Sequence, residues 1–197
     1  MEFNGTFEIE GVSAEEVWLA LSDPELLKQT MPGCDFLVEV EDPDDVDFDA
    51  LAEQAAERED PSILPEADPA VVAERTIAEG ECYAGRGGIK IGSVNPTFDG
   101  IVTITRREFP EMHAEGEGGA PDSSFEGRTE MTLVETDDGV AVEWWAEAEV
   151  FGRVARMGQR VLNPVANQVV NRFFSDVADR IDELEEDPDE LRELVET

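Results

Sequence analysis

Lysine and histidine are almost absent from this chain of 197 residues. Lys28 and Lys90 are the only lysines, and His113 is the only histidine. The chain has 14 lysines and arginines but 49 aspartates and glutamates. The formal net charge of −35 repels phosphate groups, so a nucleic acid is not an expected partner. A disordered acidic chain would also lack aromatic residues, whereas this one has 10 phenylalanines and 3 tryptophans. We therefore expect a folded protein.

The excess of carboxylates is typical of proteins from a cytoplasm near salt saturation. At that salt concentration the Debye length is ~3 Å or less, so repulsion between surface charges is tolerated. The composition therefore predicts a cytoplasmic protein of a high-salt cytosol.

Long apolar runs are missing as well. No segment approaches the ~18 consecutive apolar residues of a membrane-spanning helix, and the first residues alternate like a strand rather than a signal peptide. We expect no transmembrane segment and at most peripheral membrane contact. Cys34 and Cys82 form no CxxC pair and no zinc-binding pattern, so we expect reduced thiols and no metal site.

Catalytic chemistry has little support in the sequence. A lone histidine, His113, is more often an ordinary strand residue than a general base, and the acids are too numerous for any pair to stand out. The stretch AGRGGIKIG lacks the spacing of a phosphate loop and is interpreted as a bent strand. We therefore expect no catalytic residues and no enzyme. An enzymatic alternative would need His113 or a buried carboxylate in a cavity.

The N-terminal third shows a strand and two short helices. In MEFNGTFEIEG the alternating apolar residues predict a half-buried strand. Ser13 and Glu16 have the spacing of a capping box before the first helix. Ser22 or Asp23 caps the second, which stops at Met31-Pro32-Gly33-Cys34.

Further strands and one long helix complete the pattern. Strands are predicted at about 35–40, 79–91, 97–106, 110–116, 125–135 and 139–150, and a helix from Arg153 to Glu186. Asn163-Pro164 should kink that helix. Its apolar stripe is predicted to comprise Val154, Met157, Val161, Val165, Val169, Phe173, Val177, Ile181 and Leu184.

We expect one domain over residues 1–186, followed by an acidic tail at 187–197. Residues 41–78 are dense in acids and prolines, which predicts a surface insertion with one helix around Phe48–Arg58. The order of elements predicts an α+β fold in which an antiparallel curved sheet wraps around a long C-terminal helix. The two short helices that follow the first strand would close one end of the sheet.

Three stretches carry a family resemblance. VWLALSDPELLKQTMPGCDFL, IGSVNPTFDGIVTI and WWAEAEVFGRVARMGQRVLNPVANQVVNRFF resemble the family of the carbon monoxide dehydrogenase G-subunit, within the START-like (SRPBCC) superfamily of helix-grip domains. The resemblance covers residues 1–40 and about 79–184. It implies an accessory protein or electron carrier of a molybdenum hydroxylase, with an apolar cavity for a respiratory quinone and no covalent cofactor.

Small residues beside large apolar ones predict where such a ligand binds. Gly100, Ala146, Ala148 and Gly158 are expected to leave space between the sheet and the long helix. An apolar cleft of this kind suits a flat hydrophobic molecule. The predicted ligand-binding residues are Phe98, Met131, Trp144, Met157, Val161 and Phe173, with Met31, Pro32 and Cys34 in a lid.

Acidic residues are unevenly distributed. Residues 26–34, 83–98 and 150–175 contain none, and these windows hold both lysines. We expect a partner to dock on their basic residues, or these to balance neighbouring carboxylates. The predicted docking residues are Lys28, Arg86, Lys90, Arg153, Arg156 and Arg160. A ligand-free assembly factor that acts through the same residues remains an alternative, as does, less favoured, a cyclase-like or hydrolase-like enzyme.

Overall fold

Seven antiparallel strands form one curved sheet in the order β1-β7-β6-β5-β4-β3-β2. The computed structural model describes residues 1–182 together with Leu191 and Leu194. The strands are β1 (Glu2–Glu10), β2 (Cys34–Val40), β3 (Cys82–Gly88), β4 (Thr97–Glu108), β5 (Glu111–Ala120), β6 (Ser123–Glu135) and β7 (Gly139–Gly152). Each predicted strand is confirmed within a few residues at either end.

Five α-helices accompany the sheet in the described part of the chain. They are α1 (Ala14–Leu21), α2 (Pro24–Thr30), α3 (Phe48–Glu57), α4 (Pro69–Ala73) and α5 (Gln159–Ile181). The predicted capping box of α1 is confirmed, because Ser13 and Glu16 exchange hydrogen bonds. Asp23, rather than Ser22, caps α2 by accepting a hydrogen bond from the Glu25 amide. The α+β fold with a long C-terminal helix is as predicted.

One face of the sheet is turned toward α1, α2 and α5. Its side chains are those that the alternation in the sequence assigns to it, since Gly5 pairs with Trp144 and Phe7 with Val142 on the neighbouring strand. Met131 follows on β6, opposite Trp144. We call this the inner face. The opposite, outer face carries Glu143, Glu147 and their acidic neighbours.

The Pro32-Gly33 turn explains why α2 is so short. Gly33 has φ of +79°, and a Cβ there would overlap the carbonyl oxygen of Gly88. The Gly33 carbonyl accepts a hydrogen bond of 2.8 Å from the Gly88 amide. The turn therefore ends α2 at the place where β2 must begin its pairing with β3.

The sequence predicted that the segment between β2 and β3 lies on the surface, and this is wrong for its second half. The first half does lie there: α3 occupies the predicted position and contains no buried residue. The second half is in the core, where its buried residues are Ile63, Leu64, Ala67, Val72 and Ile77. These apolar side chains join the large core because burial removes them from water, and three ion pairs also tie the segment to α2: Arg58 with Glu25, Asp60 with Lys28, and Arg75 with Asp23.

The C-terminal helix is shorter than predicted. A single turn of 3-10 helix covers Ala155–Met157, and Gly158 with φ of +77° separates it from α5. Within α5, Leu162 and Phe174 are buried whereas Val161 is exposed. The predicted stripe is thus wrong at Val161, whose place on the buried side is taken by Leu162, whereas Val154, Val177 and Ile181 are buried as predicted. Pro164 lies inside α5, and the predicted kink there stays a prediction. Leu184 lies outside the described residues, and of the predicted tail only Leu191, which is buried in the core, and Leu194 are described.

Candidate functional site

The hydrophobic core is divided into two clusters. The larger one packs α1, α2, the buried half of the insertion and the C-terminal half of α5 against the sheet, with Trp18 and Phe174 among its buried members. The smaller one consists of Ile91, Val154 and Leu162 with partly buried neighbours around them. We call these the large and the small cluster. Because α5 contributes to both, it spans the space between them.

The inner face between the two clusters is made of small residues. Following the strand register from Trp144 across the sheet places several glycines and alanines in this stretch. These residues are Gly85, Gly100, Gly116, Gly127, Ala146 and Ala148, all half-buried. Two larger members of the same stretch, Val102 and Thr129, are exposed, Val102 by 38%. Solvent therefore reaches the inner face here, and we call this open space the groove.

Helix α5 bridges the groove. Val165 packs on the small cluster, whereas Val170 and Phe173 pack on the large one. Phe173 follows Val165 by eight positions, which is about 12 Å along the helix axis at 1.5 Å per residue. Val169 lies between these anchors and belongs to neither cluster. The groove thus has a floor of glycine and alanine and apolar side chains at both ends, which suits a flat apolar molecule.

The Met31–Cys34 turn lies next to the β3–β4 connection at one end of the sheet. Met31 is 40% exposed. Burial raises the pKa of the Cys34 thiol to about 11, although nearby Lys28 acts in the opposite direction. Cys34 pairs with Gly87 near the end of β3, whereas Cys82 is the first residue of β3, so the two thiols are far apart.

The predicted lid is held firmly by the insertion. Asp23 is fully buried and accepts two hydrogen bonds from Arg75, of 2.9 and 2.6 Å. Lys28 pairs with Asp60 at 2.7 Å, and the Gln29 side chain donates to the Pro61 carbonyl. Ion pairs thus tie α2 to the insertion, whereas the Met31 side chain at the end of the lid is exposed.

The predicted ligand residues fall into three groups. Met131, Trp144 and Phe173 pack against the large cluster, and Phe98 and Met157 against the small one. Val161 is exposed on α5, and Met31, Pro32 and Cys34 form the turn described above. The sequence missed the glycines of β3, β5 and β6, although GEGG in β5 already shows glycine on the alternating positions of one face.

The predicted docking residues also separate into two groups. Lys28 is neutralised by Asp60, and Arg86 by Asp49 and Asp99, so these two are poor candidates for contact with a partner. The remaining four form no ion pair with a described residue, and all are exposed. They are Lys90, Arg153, Arg156 and Arg160.

The outer face has a cleft of a different kind. Its volume is about 470 Å³. Acids dominate its wall, including Asp44, Glu115, Glu117, Glu126, Glu147 and Glu149. None of the nine predicted ligand residues borders this cleft, and its charge makes it unsuitable for an apolar molecule.

Within the described part of the chain, titratable side chains do not gather in the groove. His113 pairs across the strands with Glu130 and Arg106, so it lies on the outer face. Tyr83 is buried on the inner face and donates a hydrogen bond of 2.7 Å to Glu81; burial is the main cause that raises its pKa. Among the described residues, no group of three or more His, Cys, Asp or Glu could hold a metal ion.

The curved antiparallel sheet, the two short helices after β1 and the long C-terminal helix define a helix-grip protein. The family model for CoxG, the G-subunit of carbon monoxide dehydrogenase, matches residues 73–182, which is more than half of the chain. The chain belongs to this family, as the resemblance implied. Membership points to an accessory role for carbon monoxide dehydrogenase.

Solved structures share the fold. A conserved protein from Geobacillus kaustophilus aligns with a TM-score of 0.68 at 22% identity, over 93% of this chain and 96% of that one. The protein TTHA0849 from Thermus thermophilus aligns with a TM-score of 0.54 at 10% identity, over 92% and 97%. A hypothetical protein from Helicobacter pylori, jhp0584, gives 0.55 at 8% identity, over 91% and 86%. No curated protein matches the chain significantly. Within the described residues, no helix is long and apolar enough to cross a membrane.

Proposed function

We propose that this protein binds a respiratory quinone in the groove and carries it for a molybdenum hydroxylase of the carbon monoxide dehydrogenase type. The observation that carries the proposal is the divided core. A sheet that served only as a scaffold would fill its inner face with large side chains, because an unfilled interior loses packing energy. Here the middle of that face is glycine and alanine under a helix anchored at both ends.

The shape and chemistry of the groove favour a flat, apolar ligand over a polar one. Its floor has no charged side chain, and the hydroxyl of Thr129 already donates to the Trp145 carbonyl at 3.0 Å. Trp144 and Phe173 stand at one end and Phe98 at the other. A quinone ring on glycine and alanine, held between aromatic side chains, would bury most of its surface.

The mechanism we propose is carriage rather than catalysis. The groove would shield the quinone from water, and the Met31 end of the lid would move to admit or release it. The quinone supplies the redox chemistry when bound, whereas the protein supplies only an apolar enclosure. The only histidine is on the outer face, which favours carriage, because the enzymatic alternative would then need a buried carboxylate as its general base.

Tryptophan fluorescence tests the proposal directly. Trp144 lies on the inner face beside the groove, while Trp145 lies on the outer face under Arg128. Menaquinone added to the purified protein should quench the emission with saturation near one equivalent. Quenching should fall sharply in Trp144→Phe. It should persist in Trp145→Phe, the matched control, which makes the same substitution at the neighbouring position.

A second measurement protects the test against a weak optical signal. Organic extraction of the freshly purified protein, analysed by mass spectrometry, should recover a lipid-soluble quinone close to one per chain. An empty extract together with no quenching by added menaquinone would refute the carrier proposal.

The ligand-free assembly factor is the second candidate, and the unpaired cations favour it. Lys90, Arg153, Arg156 and Arg160 give the protein a surface for a partner whether or not the groove is occupied. An empty groove combined with tight binding to the hydroxylase would select this candidate. For either candidate we propose a high-salt cytosol as the setting, supported by the net charge of −35.

A further inference from the structure

Four exposed cations of this acidic protein have no ion-pair partner among the described residues: Lys90, Arg153, Arg156 and Arg160. Most other basic residues in the described part of the chain are paired with a carboxylate. With 49 acids available, intramolecular pairing is easy to reach. These four residues are therefore set apart from the general pattern, and we call them the cationic end.

The small cluster brings the cationic end together. Ile89 and Ile91 flank Lys90 on the β3–β4 connection, while Val154 and Met157 lie beside Arg153 and Arg156. The two segments are in contact, since a Cβ on Gly92 would lie 3.4 Å from the Met157 methyl group. Residues more than sixty positions apart thus present their charges around one apolar centre.

Two of the three acid-free windows of the sequence meet at this place. Residues 83–98 and 150–175 contain no aspartate or glutamate. Burial cannot explain the absence along the exposed side of α5, because Arg160, Asn163 and Asn167 all face solvent. One acidic residue, Asp122, adjoins this surface, since its backbone carbonyl accepts a hydrogen bond from the Arg153 amide. Its carboxylate forms no ion pair with a described residue.

Exposed apolar side chains accompany the charges. Val161 is 36% exposed beside Arg160, and Phe151 is 48% exposed two residues before Arg153. Arginines next to an aromatic and an aliphatic side chain are the composition that protein interfaces favour. Two isolated apolar residues do not form the continuous apolar face that a membrane-bound helix needs.

We propose that the cationic end docks a protein partner that presents a compact cluster of carboxylates. An anionic bilayer fits less well, because an extended negative plane would repel a protein whose net charge is −35. A carboxylate cluster of limited size would meet the four cations and little else. The identity of that partner as the hydroxylase rests on the proposed function, whereas the docking surface itself does not.

The test is a binding measurement between the full-length protein and purified carbon monoxide dehydrogenase of the same source, in low and in high salt. The triple variant Arg153→Glu, Arg156→Glu, Arg160→Glu should raise Kd at least about 100-fold, since it reverses three charges at the contact. The matched control is Arg172→Glu, an exposed arginine of α5 that is loosely paired with Asp176 at 3.7 Å. It should change Kd by less than about threefold.

Each other outcome overturns the proposal. Binding that survives the triple change, or no binding by the unaltered protein, would remove the cationic end as the docking site for this partner. If the protein sediments with phosphatidylglycerol vesicles and the triple variant does not, the surface binds lipid. A dimer in analytical ultracentrifugation that the triple change dissociates would assign it to a second copy of the chain.

Menaquinone quenching in the same variants separates the two proposals. The triple variant should bind menaquinone like the unaltered protein, because all three arginines are exposed and belong to neither cluster that borders the groove. Docking without quinone binding would support the cationic end as a docking site and refute the carrier function. Quinone binding without docking would have the opposite meaning.

Discussion

Filling the groove from its floor should stabilise the protein and displace its ligand. Gly116 on β5 is the best position for this change. A Cβ there would lie 3.5 Å from the Ile101 carbonyl oxygen and 3.6 Å from Val102, both ordinary contact distances. Gly127 and Gly118 would not accept one, because a Cβ on Gly127 would meet the Glu147 carbonyl oxygen and one on Gly118 the Phe125 ring. We therefore choose Gly116→Leu.

The magnitude follows from burial. A fully buried leucine contributes about 1.5–3 kcal/mol, and replacing glycine in a strand interior contributes about 0.5–1 kcal/mol more. Because the groove is partly open, we expect a gain of about 2 kcal/mol in the free energy of unfolding. For a chain of this length that is a rise of roughly 4–8 °C in Tm. Menaquinone should lose contacts of similar size, which is a roughly 30-fold rise in Kd.

The control lies three residues away. Gly119 is on the outer face of β5, and a Cβ there would have comparable room, 3.6 Å from the Ser123 carbonyl oxygen. Gly119→Leu should leave the Kd for menaquinone unchanged, because its side chain points away from the groove. Calorimetry and fluorescence titration measure both quantities. The reasoning fails if Gly116→Leu lowers Tm and binds menaquinone as tightly as the control.

Local patterns explain how much of the fold was predictable. The alternation of β1, the box formed by Ser13 and Glu16, and the helix at Phe48 each depend on neighbours within a few residues. Such signals are written directly in the sequence. The break at Gly158 was missed because a glycine within a helical pattern is often tolerated. Only the packing of the 3-10 turn on the small cluster distinguishes the two cases.

Burial of the insertion could not be predicted because long-range contacts decide it. Ile63, Leu64 and Val72 are scattered among acids and prolines and show no helical or strand period. Their place in the core depends on apolar contacts with distant segments, and Arg75 pairs with Asp23 across more than fifty residues. The same holds for Arg86, whose partners Asp49 and Asp99 lie on α3 and β4.

The site was partly predictable for a related reason. Trp144, Ala146 and Ala148 alternate within one strand, so the sequence alone places them on a common face. That the glycines of β3, β5 and β6 continue the same floor depends on register between strands. Neither composition nor spacing contains that information.

The two remaining predictions test the insertion and the thiol at the lid. Leu64→Ala should lower the free energy of unfolding by about 2–5 kcal/mol, because Leu64 is fully buried. The control, Leu51→Ala on α3, should lower it by about 1 kcal/mol or less. Equal urea midpoints for the two variants would contradict the core position of Leu64. Burial raises the pKa of Cys34 to about 11 from an ordinary 9.0, so the thiolate is about 100-fold scarcer near pH 8. In the variant Cys82→Ser, iodoacetamide should alkylate Cys34 about 100-fold more slowly in the folded protein than in urea. The rate for the folded protein should rise about tenfold per pH unit up to about pH 11. Equal rates in the folded and unfolded variant would refute the shift. Because a protonated thiol is a poor nucleophile, Cys34 can border a quinone without adding to its ring.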